Sequence, residues 1–443
     1  MIRAAPWLAL LAAILAACAM PPVAPDRPAR PTLPGLGSAL APGPVLQANR
    51  DIAEDLADLV FGRESGLILT RLTRFETPVR VSLATVPPAG FADDLAALIT
   101  RLRDEARIDI ALAGPAEPGN IVIDFAPAAE IAAVFPGAQC FVIPAARDWA
   151  GFRRDLALAL LPDWDALDSL TGAGLFLPAD GEAETLRECL EEELAQALGP
   201  ANDLFRLRDS VFNDDNVHSR LTRFDILVLR TLYDPGLHSG MTRARAVAAA
   251  RAVLDRINPA GRGIARRTGL RPAPEWERIM RSLFEDPAPR ARRIAALRRA
   301  VRLAERFPQP DHRLATTLDF LATLEYPDRP ELAEGLLARA LDSLERHDDP
   351  QGLRAATIRL HLAQLRMRLG RPAEALALAD AALPALVAHD AAGNIARALA
   401  LRTAALATLG RAEEARISAV DSSAWQDYVR GSRPIRPPAG GRR

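Results

Sequence analysis

From Leu46 to Gly62 the sequence LQANRDIAEDLADLVFG sets apolar residues three and four apart with charges between them, the period of an amphipathic helix. A β-rich run, PVRVSLATV, follows, and then a second helical pattern, FADDLAALITRLRDEA. Short β-like runs come next at IDIALAG, NIVIDFA, QCFVIPA and GAGLFLPA, before an acidic helix, ECLEEELAQALGPAND, from Glu188 to Asp203. Strand, helix, several strands, helix is the order of an α+β layer arrangement. From about Arg262 the pattern changes to helical periodicity almost throughout, broken at FPQP, YPDRP, HDDPQG, LGRPAEA, HDAAGN and LGRAEEA.

Within that second region LHLAQLRMRLGRPAEAL aligns with LALRTAALATLGRAEEA, so that Gly370 matches Gly410 and Ala375 matches Ala415. His347-Asp348 and His389-Asp390 recur at a similar spacing, while the unit from Asp311 to His347 fits more loosely, with Asp328 in the glycine position. A period near 40 with small residues where helices cross resembles tetratricopeptide-like repeats. An unspecialised alanine-leucine bundle is the alternative.

The first twenty residues hold one basic residue, Arg3, and an apolar run too short for a comfortable membrane span, as in a secretory signal peptide. LAAC, Leu15 to Cys18, resembles the bacterial lipobox, which implies lipidation of Cys18; with Ala19 next, the resemblance implies an outer-membrane anchor facing the periplasm. The alternative is an ordinary signal peptide with a chance cysteine. The expected segments are a signal peptide at 1–17, a proline-rich tether at 18–44, an α+β domain at 45–260, helical repeats at 261–425 and a disordered tail at 426–443. In an oxidising compartment Cys140 and Cys189 are expected to pair, the alternative being two buried thiols.

Composition adds limits. A chain of 443 residues exceeds one compact core, since cores seldom grow beyond roughly 250 to 300 residues. A formal net charge of -1 argues against a nucleic-acid partner, and all the basic side chains are arginine. No P-loop, dinucleotide-binding glycine pattern or serine-nucleophile elbow appears.

The chemistry concentrates in the acidic helix. A zinc-protease helix needs two ligands four residues apart, on one face, with a glutamate beside the first to activate the metal-bound water. Glu192 and Gln196 hold the ligand spacing, Glu193 the glutamate position, Gly199 the helix-ending glycine and Asn202 the third-ligand position. Leu186, Leu190, Leu194 and Leu198 would bury the opposite side. Downstream, DSVFNDD places Ser210 and Phe212 where a methionine turn has serine and methionine, and LTRFDILVLRTLYDP follows at Leu221 to Pro235. In order and spacing these pieces resemble a metzincin-type zincin domain, which implies a small mixed sheet with an active-site-type helix. The central half of the chain also resembles an uncharacterised family of bacterial lipoproteins, a domain of unknown function.

Zinc prefers imidazole and thiolate, and an amide is a poor ligand, so no tight zinc site and no cofactor are expected. A harder cation with oxygen ligands, drawing on Asp203, Asp214 or Asp215, is the alternative, although the spacing matches no calcium loop. His218 and His238 occupy no motif position. Glu193 is the candidate general base, whereas a solvated acidic face is the plain alternative for Glu191 to Glu193. The expectation is an anchored, inactive metzincin-like domain whose helical repeats meet a protein or peptide partner. The alternatives are an active hydrolase using Glu193 with an atypical metal, and a cell-wall binder using Arg292, Arg293, Arg298 and Arg299.

Overall fold

The computed structural model describes residues 30–33, 44–63, 66–114, 117–160, 167–213, 215, 217–266, 273–285, 288–308 and 311–431. The expected signal peptide, Cys18, most of the tether, Asp214 and the tail beyond Gly431 lie outside them.

The amino-terminal part is α+β. Helix α1 (Asn49–Phe61) leads to β1 (Val79–Leu83), α2 (Phe91–Asp104), β2 (Ile110–Leu112), β3 (Ile121–Ala126), α3 (Ala128–Val134), β4 (Phe141–Pro144), α4 (Trp149–Ala157), β5 (Ala173–Pro178), α5 (Ala183–Ala197), α6 (Arg223–Leu232) and α7 (Arg243–Ile257). Five strands form one sheet in the order β2-β1-β3-β5-β4, all parallel except β4, which runs antiparallel to β5 with Phe141 opposite Phe176. Side chains alternate across a strand, so β5 serves two cores. Leu175 and Leu177 join Leu186, Leu190 and Leu194 of α5 in the main core. Phe176 turns the other way into an aromatic cluster, 5.0 Å from Phe152 and 5.3 Å from Phe141 by ring centroids. That second face, with α3 and α4, was not anticipated, because α3 has seven residues and α4 nine, and short segments show little periodicity.

A disulfide joins Cys140, just before the edge strand β4, to Cys189 in α5, with Cα atoms 5.9 Å apart. It ties the sheet edge to the acidic helix.

The carboxy-terminal part is helical: α8 (Pro274–Glu285), α9 (Arg290–Ala304), α10 (His312–Glu325), α11 (Pro330–His347), α12 (Leu353–Arg368), α13 (Pro372–Ala388), α14 (Ala392–Thr408) and α15 (Ala412–Arg430). The helices pair in succession, and fully buried alanines such as Ala333, Ala355, Ala375 and Ala405 let them approach closely. Gly370 and Gly410 both take left-handed backbone, φ 71° and 74°, between the paired helices. Arg371 N–H donates to the Arg366 carbonyl and Arg411 N–H to the Leu406 carbonyl, each at 2.9 Å, which closes both helix ends the same way. The earlier unit with Asp328 closes differently: Asp328 and Arg329 N–H both donate to Glu325. The looser match in sequence thus corresponds to a different turn.

Two boundaries differ from expectation. Helix α15 continues to Arg430 with Trp425 and Tyr428 buried, so 426–430 is helix and not tail. Within the expected tether, Leu33 is buried in the last helical core and Arg30 pairs with Asp390 at 2.8 Å, because that core offers an apolar seat beside an acceptor.

Candidate functional site

Helix α5 reads AETLRECLEEELAQA, strong helix formers with no β-branched residue except Thr185, and Glu184 complements the dipole in its first turn. Gly199, at φ 135°, ends the segment; a Cβ there would lie 3.1 Å from Leu232 Cδ2 and 3.4 Å from the Thr73 carbonyl. The glycine is required both by its backbone and by the closeness of α6.

The polar side of α5 is not a solvated face. Glu191 and Glu193 are only 6% and 5% exposed, and Glu192 is half-buried. The Glu191 carboxylate accepts from Leu221 N–H at 3.0 Å and from Arg220 at 3.2 Å, with Arg101 3.8 Å away. A buried carboxylate persists only with such donors. Arg187, fully buried, pairs with Glu184 at 3.0 Å and donates to the Tyr428 carbonyl at 3.1 Å while stacking 4.4 Å over the Tyr428 ring. The alternative of a plain acidic surface fails for Glu191 and Glu193 because neighbouring elements cover that side of the helix.

Two of the three metal-ligand positions, Gln196 and Asn202, are hydrogen-bonded to protein groups. The Gln196 amide donates to both oxygens of Asp203, at 3.4 and 3.5 Å. A carboxylate only accepts, so Gln196 must turn its NH₂ toward it. The Asn202 amide donates to the Asp58 carbonyl in α1 at 3.0 Å, in a space that exists because residue 62 is glycine. Asp203 is therefore brought to Gln196, whereas Asn202 is drawn to α1. Asp214 lies outside the described residues, and Asp215 is paired with Arg354 of α12. Among the described residues no cluster of three or more His, Cys, Asp or Glu is arranged to hold a metal ion. Zinc, which the resemblance implies, does not suit a donor set of one carboxylate and two neutral amides.

The downstream motif pieces hold one another. Asp225 caps α6 through Thr222 and also accepts from Ser210 Oγ at 2.5 Å and Val211 N–H at 3.2 Å, which fastens the DSVF turn to that helix. Burial pushes the Asp225 carboxyl up to about 6, against the pull of these donors. Phe212 is fully buried and its carbonyl accepts from Leu204 N–H. At the far end of α6, Tyr233 donates to the Leu198 carbonyl at 2.9 Å, one residue before Gly199.

The loop after α5, roughly 203–220, runs against the helical part. Arg208 pairs with Asp348 at 2.5 Å, Arg354 pairs with Asp215 and also donates to Thr316 at 2.8 Å, and Arg220 lies 3.7 Å from Asp390. His312 Nε2 meets the Phe205 carbonyl at 2.8 Å, and the His218 ring lies 5.5 Å from that of His389. Burial holds the His312 imidazole far below its usual range and lowers His389 as well, so both are neutral at neutral pH. These contacts were missed by sequence reasoning, although a signal was present: the recurring His-Asp pairs supply the aspartates that receive Arg208 and Arg220. His238 sits in a loop with its Nδ1 2.8 Å from the neighbouring Ser239 carbonyl. In the arginine helix, Arg298 pairs with Glu325 at 2.5 Å and Arg299 with Glu275.

Residues 49–252, hereafter the DUF2927 domain, match the DUF2927 family model. The matching family model is described as a protein of unknown function, and its span runs from the first residue of α1 into α7, two helices that pack on each other. No curated protein matches the chain.

Proposed function

We propose that this is an outer-membrane-anchored periplasmic lipoprotein, attached through Cys18, whose DUF2927 domain is a metzincin-type scaffold without a working metal site. Its helical part is tetratricopeptide-like and serves protein partners. The reading is supported by a small mixed sheet followed by a helix with metzincin spacing, a left-handed Gly199, and a DSVF turn tied to the next helix. The observation that carries the loss of catalysis is the engagement of Gln196 by Asp203 and of Asn202 by Asp58. Without a metal to acidify water, Glu193 lacks the partner that supplies most of the rate in this chemistry.

Elemental analysis of the chain purified from residue 18 onward tests this. No stoichiometric metal, and peptidase background unchanged by Glu193→Gln, is expected. A stoichiometric ion lost on Glu192→Ala, together with hydrolysis lost on Glu193→Gln, would establish the hydrolase instead. For the anchor, Cys18→Ser is expected to move the protein from the membrane to the soluble periplasmic fraction; unchanged membrane association would refute it.

A further inference from the structure

Between α10, α11, α12 and α14 lies a cavity of about 270 Å³, far from helix α5 in sequence and outside the DUF2927 domain. Its floor is apolar, with Leu337 and Leu365 buried, and its wall carries Tyr326, His361, Gln364 and Arg397. The positive charge on that wall is compensated at a distance by Asp319 and, among the described residues, not by direct pairing. Arg397 is held by the neutral Gln364 amide, and among the described residues no carboxylate forms an ion pair with it. Arg368 stacks 4.5 Å over the Tyr326 ring and likewise has no carboxylate partner among them. The carboxylate at the site, Asp319, is bound to His361 Nδ1 at 2.6 Å. By contrast, neighbouring Arg366, Arg371, Arg402 and Arg411 each pair with an acidic residue. Among the described residues the buried Tyr326 hydroxyl has no hydrogen-bond partner, which has a cost unless a ligand supplies one.

The chain itself shows what this face accepts. His361 follows Arg354 by seven residues, two turns along one face of α12. Arg354 receives Asp215, and the same loop buries Phe205 among Trp276, Leu314 and Leu318 of the helical part. An apolar side chain and an aspartate from one irregular segment therefore dock here already. Two turns further on, the same chemistry stands open.

The geometry points to this cavity as a binding site for an extended acidic peptide segment of a partner protein, with an aliphatic side chain on the Leu337 and Leu365 floor and its carboxylate at Arg397. This rests on the proposal that the helical part serves protein partners. Arg397 gives specificity for the acid, and the Tyr326 hydroxyl gains a peptide carbonyl acceptor.

The test is a positional-scanning array of synthetic heptapeptides, probed with the full chain from residue 18 labelled at its amino terminus, at low and high salt. Selection of an aspartate or glutamate beside leucine, isoleucine or valine is expected. Arg397→Gln should weaken the selected peptides about tenfold and abolish the acidic preference, whereas Arg397→Lys retains part of it. Tyr326→Phe should weaken binding less, with unchanged thermal unfolding confirming that each variant is folded. Selected peptides whose binding ignores both substitutions would overturn this cavity as the site while leaving a partner surface elsewhere on the helices. An array without any selection would overturn both.

Discussion

The DUF2927 domain and the helical part are stabilised in different ways. In the helical part the last two paired units close through the same local bonds, Arg371 to Arg366 and Arg411 to Leu406, and bury alanine against their neighbours in sequence. In the DUF2927 domain the decisive contacts join distant residues: β3 to β5, Cys140 to Cys189, Leu221 to Glu191, Tyr233 to Leu198. Local closure tolerates repetition and small shifts, whereas long-range polar ties demand one arrangement. Where the two parts meet, buried charge and histidine do the joining. The loop after α5 thus belongs in sequence to one part and in energy to both.

Breaking the seam gives the largest expected effect. Asp215→Ala leaves Arg354 buried without its carboxylate, and loss of one partner of such a pair costs about 3–5 kcal/mol. Urea unfolding followed by tryptophan fluorescence should then separate into two transitions; a single transition with an unchanged midpoint would show that the seam contributes little. Removing the disulfide with Cys189→Ser should cost about 2–4 kcal/mol, confined to the DUF2927 domain, since it opens a loop spanning 49 positions. Equal loss in the helical transition would contradict the separation of the two parts.

The pH dependence comes in part from His312 and His218, both held neutral by desolvation in the folded form while the unfolded forms take a proton near pH 6.5. A depressed histidine contributes stability that is present above the unfolded value and lost as pH falls. Stability should therefore fall from pH 7 to pH 5, from the seam before either core. His312→Gln should reduce that dependence while His218 keeps the remainder, and an unchanged slope would place the titration elsewhere. The smallest effect is Gly410→Ala, about 1 kcal/mol, because the left-handed backbone is strained for alanine although a Cβ there meets open space. That loss should appear only in the helical transition, read as a shift in its midpoint.

Much of the fold was legible from period and punctuation. The five strands lie within the β-like runs and helices α1 and α2 within their patterns, because each is long enough or apolar enough to show its periodicity, whereas α5 starts five residues before the acidic pattern and stops at Ala197, ahead of Gly199. Gly370 and Gly410 marked their turns for a local reason, the left-handed conformation. The spacing of Glu192, Gln196, Gly199 and Asn202 located the candidate site, but not the state of its side chains. Asp203, one residue beyond the third ligand position, takes up Gln196, while Asp58, more than a hundred residues earlier, takes up Asn202. A helical wheel cannot show that α5 is covered on its polar side by Arg220, Leu221 and Tyr428.

The sequence by itself determined which segments are helix or strand, where the paired helices turn, and which residues stand at the spacing of a metal site. Those properties depend on neighbours within a turn or two of backbone. Only the tertiary structure decided that the acidic helix is buried, that its amides are spent on Asp203 and Asp58, and that the recurring His-Asp pairs grip the loop of the other part. Those outcomes depend on desolvation and on partners remote along the chain, and burial sets whether a carboxylate or an imidazole carries charge at all.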